Sequence, residues 1–115
     1  MPTFWKDATA PQPPYYAVIF ISQKSDDLAG YTAMDQRMME LAQQQPGFLG
    51  YSSVSEKAKG IFISYWKDEE SIKKWRDNAE HGYAKAEARR WYATYHSLIT
   101  RVQHSSQHPV DDEES

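Results

Sequence analysis

Cysteine is absent from the 115 residues, so no disulfide can staple the chain and no thiolate can hold a metal. Asparagine occurs once, as Asn78. The five glycines form no phosphate-cradling loop, no G-x-S-x-G elbow and no dinucleotide fingerprint, so no cofactor is expected. Neither sign of charge dominates: 13 basic and 16 acidic side chains give a formal net charge of −3. They are evenly spread, without the basic stripe that nucleic acid or an anionic membrane would need, and neither is an expected partner. No apolar run approaches the ~20 residues that span a bilayer, and the first residues lack the basic and apolar blocks of a signal peptide. The expectation is a soluble cytoplasmic protein. His104 and His108 are four apart, but in a polar tail with no fixed acidic ligand, so no metal site is expected either.

What is present suits one compact domain, since 40% hydrophobic and 14% aromatic residues can fill a single core. Residues 1–14 mix proline with Thr3, Asp7 and Thr9 and read as an extended arm with no helix or strand of its own. Phe4 and Trp5 interrupt that polar arm, which points to docking in a hydrophobic groove. The acidic tail, 104–115, has nothing to bury and reads as disordered.

Between them, residues 15–103 form the expected domain. "YYAVIFIS", Tyr15 to Ser22, is apolar on both alternating faces and predicts a central strand. Leu28, Tyr31, Met34, Met38 and Leu41 recur at helical steps and define one apolar helix face, ended by Pro46 and Gly47. Met34, Met38 and Met39 are core fillers in this reading. "FLGYSSVS" and "GIFISYW" predict two strands joined by the charged turn "EKAKG". Asp68 is placed to cap a second helix whose buried face carries Ile72, Trp75 and Ala79, and Asn78 offers a further cap. "WYATYHSLITRV", Trp91 to Val102, predicts the last strand. The order β-α-β-β-α-β is the ferredoxin-like layout, an α+β fold. Two helices cover only one face of such a sheet. The other, with Phe20, Tyr65 and Tyr92 or their neighbours as candidates, would be buried by a second copy in a dimeric α+β barrel.

The candidate chemistry gathers in "SYWKDEESIKKWRDNAEHGY", Ser64 to Tyr83. His81 follows the cap Asn78, where the positive end of a helix disfavours imidazolium and keeps the ring in the neutral state a general base requires. Trp66 and Trp75 offer flat apolar walls for a planar aromatic ligand, or else simply fill the core. Tyr65 or Asn78 would supply a hydrogen bond. Alternation along the last strand sends Tyr92 and His96 to one side and Tyr95 to the other. Arg89 and Arg90 read as ordinary cations at a helix C-terminus.

The phrases "PPYYAVIF", "LAQQQPGFLGY", "GIFISYWKDEESIKKW", "AEH" and "WYATYHSLITRV" resemble the antibiotic biosynthesis monooxygenase family over roughly Pro13 to Gln103. The resemblance implies a dimeric α+β barrel with a pocket between each sheet and its helices. Some relatives oxidise polycyclic phenols with molecular oxygen and no cofactor, and others bind or degrade haem. The expected function is therefore cofactor-independent oxidation of an electron-rich aromatic, with His81 as catalytic base and Trp66, Trp75, Tyr65 and Asn78 binding substrate. A non-catalytic barrel that binds a small molecule is the alternative. Haem fits less well: haem-degrading relatives carry an asparagine on the first strand, absent here. They also carry a histidine about ten residues beyond the second-helix tryptophan, where this chain has Lys85.

Overall fold

The computed structural model describes residues 3–78, 82, 87 and 90–107. Its elements are β1 (Thr3–Trp5), β2 (Tyr15–Lys24), α1 (Tyr31–Gln44), β3 (Phe48–Glu56), β4 (Lys59–Trp66), α2 (Glu69–Arg76) and β5 (Tyr92–Val102). The five strands form one antiparallel sheet in the order β1-β3-β4-β2-β5. Without β1 this is the ferredoxin-like arrangement, with β2 central as its two-sided apolar pattern predicts.

Strand alternation assigns the faces. Tyr16 and Val18 of β2 pack against a core built from Ala42 of α1, Phe48 of β3, Trp66 of β4, and Ile72 and Trp75 of α2. Register extends this helix-facing side to Phe20, and to Ser64 and Phe62, which pair with Val18 and Phe20. Tyr15, Ala17, Ile19 and Ile21 therefore face the opposite side with Tyr65, Ile63 and Ile61. Phe20 belongs to the helix side and Tyr65 to the uncovered side, which separates two residues that the sequence reading grouped on one face.

The Asp68 cap forms as the sequence predicts. Its carboxylate accepts from the Ser71 backbone N–H at 2.8 Å and from the Ser71 hydroxyl at 2.6 Å, and these two bonds hold its pKa below the ordinary carboxylate value. Gly47 makes this approach possible. Its φ of +87° lies in the left-handed region, and a Cβ there would fall 2.0 Å from the Ser71 hydroxyl oxygen.

The arm departs from expectation, because Thr3–Trp5 pairs with β3 as a strand of its own. Three residues are too few for alternation to announce them. Trp5 sits 4.7 Å from the Tyr65 ring, and the Thr3 and Ser52 hydroxyls lie 2.7 Å apart. Gly50 admits the arm, since a Cβ there would meet the Phe4 carbonyl oxygen at 2.2 Å.

Candidate functional site

Of the five residues singled out for chemistry, the structure brings two together, in the core. Trp66 is 0% exposed and Trp75 is 8% exposed; their rings stack at 6.1 Å with 26° between planes. The Trp66 indole N–H donates to the Ser64 hydroxyl at 2.9 Å, so its polar handle is already used within its own strand. No open surface remains there for a planar ligand. Tyr65 faces the other side of the sheet, where its hydroxyl meets the Ser52 hydroxyl at 2.9 Å, with Ser52 only 1% exposed. Asn78 is half-buried after α2; its backbone N–H donates to the Trp75 carbonyl and its carbonyl accepts from Gly82. His81 lies outside the described residues, as does Ala79.

A different group converges at the opposite end of the helix-facing side. The Tyr92 hydroxyl donates to the Tyr31 hydroxyl at 3.2 Å, joining β5 to the first residue of α1. Both residues are half-buried. Burial raises both phenol pKa values above the ordinary tyrosine value. The hydrogen bond it donates raises Tyr92 further, whereas accepting that bond partly offsets the rise at Tyr31. Asp35, one helical turn beyond Tyr31, also favours the protonated phenols. Desolvation of its carboxyl raises its own pKa, opposed by Lys24, although much of the side chain stays exposed. The Lys24 ammonium lies 5.2 Å over the Tyr31 ring. Phe20 completes the group, 5.2 Å from Tyr92 and stacked at 5.4 Å on Tyr95.

Two local features place these side chains. Arg90 and Trp91 both donate to the Ala29 carbonyl, at 2.7 and 3.0 Å, which fixes the loop just before Tyr31 against the start of β5. Arg90 also pairs with Asp27 at 3.8 Å and Glu87 at 3.4 Å, so it acts as a loop anchor more than as a helix-end cation. Next, Tyr92 pairs with Lys24 but Thr94 with Gln23, which leaves Ala93 as the extra residue of a β-bulge. The bulge reverses the alternation read from the sequence: Tyr92 and Tyr95 share the helix-facing side, while His96 registers with Ile21 on the uncovered one. Among the described residues, no group of three or more histidine, aspartate or glutamate side chains could hold a metal ion. No helix among them is long and apolar enough to cross a membrane.

An antiparallel sheet with helices packed on one face, and a hydroxylated aromatic group between α1 and that sheet, defines a ferredoxin-like α+β protein. Residues 14–87 match the antibiotic biosynthesis monooxygenase family, and the chain belongs to it. It is 47% identical over 94 residues to uncharacterised protein YqjZ of Bacillus subtilis (strain 168), covering 80% of this chain and 82% of that one. Among solved structures it resembles SnoaB of Streptomyces nogalater, a cofactor-independent oxygenase, with a TM-score of 0.69 at 12% identity over 81% of this chain and 97% of that one. It also resembles PA3566 of Pseudomonas aeruginosa, with a TM-score of 0.67 at 8% identity over 84% and 100% of the two chains. At these identities the likeness to the solved structures is one of fold.

Proposed function

We propose that the protein oxidises an electron-rich aromatic, of the phenol or hydroquinone type, with molecular oxygen and no cofactor. The observation that carries this reading is the cluster of half-buried Phe20, Tyr31 and Tyr92 with the more exposed Tyr95, set between α1 and the sheet in a chain of this family. Aromatic walls with a few polar groups suit a planar substrate. A deprotonated substrate can itself pass an electron to oxygen, so the protein need supply only a base, a shaped apolar surface and polar contacts for the anion. For a ring methylene, one oxygen atom becomes the carbonyl and the other leaves as water with the two methylene hydrogens. The substrate then provides all four electrons and no separate reductant enters.

His81 is the proposed base, with Asn78 as a neighbouring hydrogen-bond donor. His96, on β5, faces the side away from the aromatic cluster. The test is aerobic turnover of naphthols, anthrones and hydroquinones by wild type and His81→Ala, with melting temperature checked in parallel. A positioned base contributes about 10²- to 10⁴-fold, and a loss of that size is the expected result. Equal rates would remove His81 from the reaction. Absence of oxygen uptake across the panel would favour a binding barrel without catalysis.

The proposal includes a homodimer through the uncovered sheet face. Ile21, Ile61, Val54 and Leu98 register on that face and are 37–47% exposed, which makes an apolar patch of the kind that marks an interface. Light scattering should give twice the 13.3 kDa chain mass. A monomer at micromolar concentration would remove this part of the reading.

A further inference from the structure

The Tyr31 hydroxyl accepts a hydrogen bond from Tyr92, and among the described residues nothing receives the proton it has left to donate. A phenol that accepts one hydrogen bond becomes a better donor of its own, because bonds in a chain polarise one another. The Lys24 ammonium stands 5.2 Å over the Tyr31 ring, its charge offset in part by the Asp35 carboxylate one turn along α1. Tyr95, stacked on Phe20, leaves 46% of its surface open beside Tyr92, with the two tyrosine ring centres 6.0 Å apart. Trp91 meets Tyr31 edge-on at 5.6 Å and its indole N–H is tied to Ala29, so the Tyr31 ring is held from behind.

We propose that Tyr31 is the hydrogen-bond donor to the oxygen of a planar aromatic ligand that lies along Tyr95, and that Tyr92 is a positioning residue acting through Tyr31. The ligand class is a fused-ring aromatic carrying a phenolic, phenolate or quinone oxygen. This assignment deepens the oxidation of an aromatic proposed above and rests on it for the ligand class. Its chemistry differs from that of a base: protonated phenols stabilise negative charge on the substrate oxygen and take no proton from it.

The test is an anaerobic fluorescence titration of the full chain with 2-naphthol and with naphthalene, which has the same rings without the oxygen. Wild type should bind 2-naphthol more tightly than naphthalene. Tyr31→Phe should weaken 2-naphthol about three- to tenfold, the value of one net hydrogen bond, and leave naphthalene unchanged. Tyr92→Phe should weaken 2-naphthol by a smaller factor, again without touching naphthalene, a discrimination that a merely structural role would not produce. Unchanged 2-naphthol affinity in Tyr31→Phe, or equal losses for both probes, would overturn the assignment. Oxygen uptake measured separately distinguishes the two proposals. Selective anaerobic binding without oxygen consumption keeps the site and removes the oxygenase. Turnover that survives with unchanged 2-naphthol affinity in Tyr31→Phe does the reverse.

Discussion

The two ends of the helix-facing sheet surface are both built from large aromatic rings, yet they have opposite character. At one end Trp66, Trp75 and Phe48 close on one another, and the Trp66 N–H ends on Ser64, two residues away. At the other end Tyr31, Tyr92 and Tyr95 stay partly open, and the hydroxyls of Tyr31 and Tyr92 connect elements 61 residues apart in sequence. Ring content therefore does not separate core from site. The destination of each ring's polar atom does: a handle satisfied by its own strand leaves only packing, whereas a hydroxyl shared across elements at a half-open surface can reach a ligand.

The strongest way to break this contrast is Trp66→Ala. Removing a wholly buried indole should cost about 3–5 kcal/mol, read as a lower urea midpoint, because the stacked Trp75 and edge-on Phe48 lose their partner. Tyr95→Ala, at the open end, should cost far less. If Trp66→Ala were as mild as Tyr95→Ala, the indole end would not be a packed core. A second, smaller effect belongs to Gly47→Ala at the closed end. The positive φ and the collision with Ser71 should cost about 1–3 kcal/mol in the same measurement, and an unchanged midpoint would show that β3 and α2 can separate there without loss.

The closed end was the more legible of the two. Helical spacing put Ile72 and Trp75 on a single face, β-branched runs marked the strands, and Asp68 three residues before Ser71 announced its own cap. Each of these signals is local. The open end depends on a contact between Tyr31 and Tyr92 that no local pattern encodes, and on the Ala93 bulge, which turned Tyr95 to the side of Tyr92 against simple alternation. Tyr31 read only as one member of a helix face, and Lys24 and Asp35 drew no notice. A tyrosine at the first turn of a helix, one turn from an aspartate, was the available hint. Trp66 and Tyr65 read as members of one substrate site, although adjacency in a strand sends side chains to opposite faces.

Asp68 sharpens the account of the closed end at lower pH. Asp68→Ala should cost about 0.5–2 kcal/mol, as the loss of a helix cap does. Because the folded carboxyl titrates below its unfolded value, the cap's contribution is complete above about pH 4 and is lost as pH falls through the folded value. Urea unfolding from pH 6 down to pH 2 should therefore show wild type and variant converging in acid. A constant gap would mean that the capping charge is not what stabilises α2.

The open end predicts its own dependence at the other extreme of pH, and Tyr92→Phe tests it. At neutral pH the lost hydrogen bond should cost only about 0.5–1.5 kcal/mol, and less if water replaces it at the half-exposed Tyr31 oxygen. In alkali the sign is fixed by burial, which raises both phenols in the folded protein above their unfolded value of about 10. Their contribution is complete below that value and falls as pH rises toward the folded values, because the unfolded chain releases its protons first. Each such proton gives a slope of about −1.4 kcal/mol per pH unit in unfolding free energy. Wild type should lose stability steeply above pH 10, and Tyr92→Phe should lose it less steeply, by up to one proton's slope. Parallel curves for the two proteins would show that Tyr92 ionises as freely folded as unfolded. The hydroxyl pair would then be solvated, and the contrast between a closed indole end and a partly desolvated phenol end would fail at its polar half.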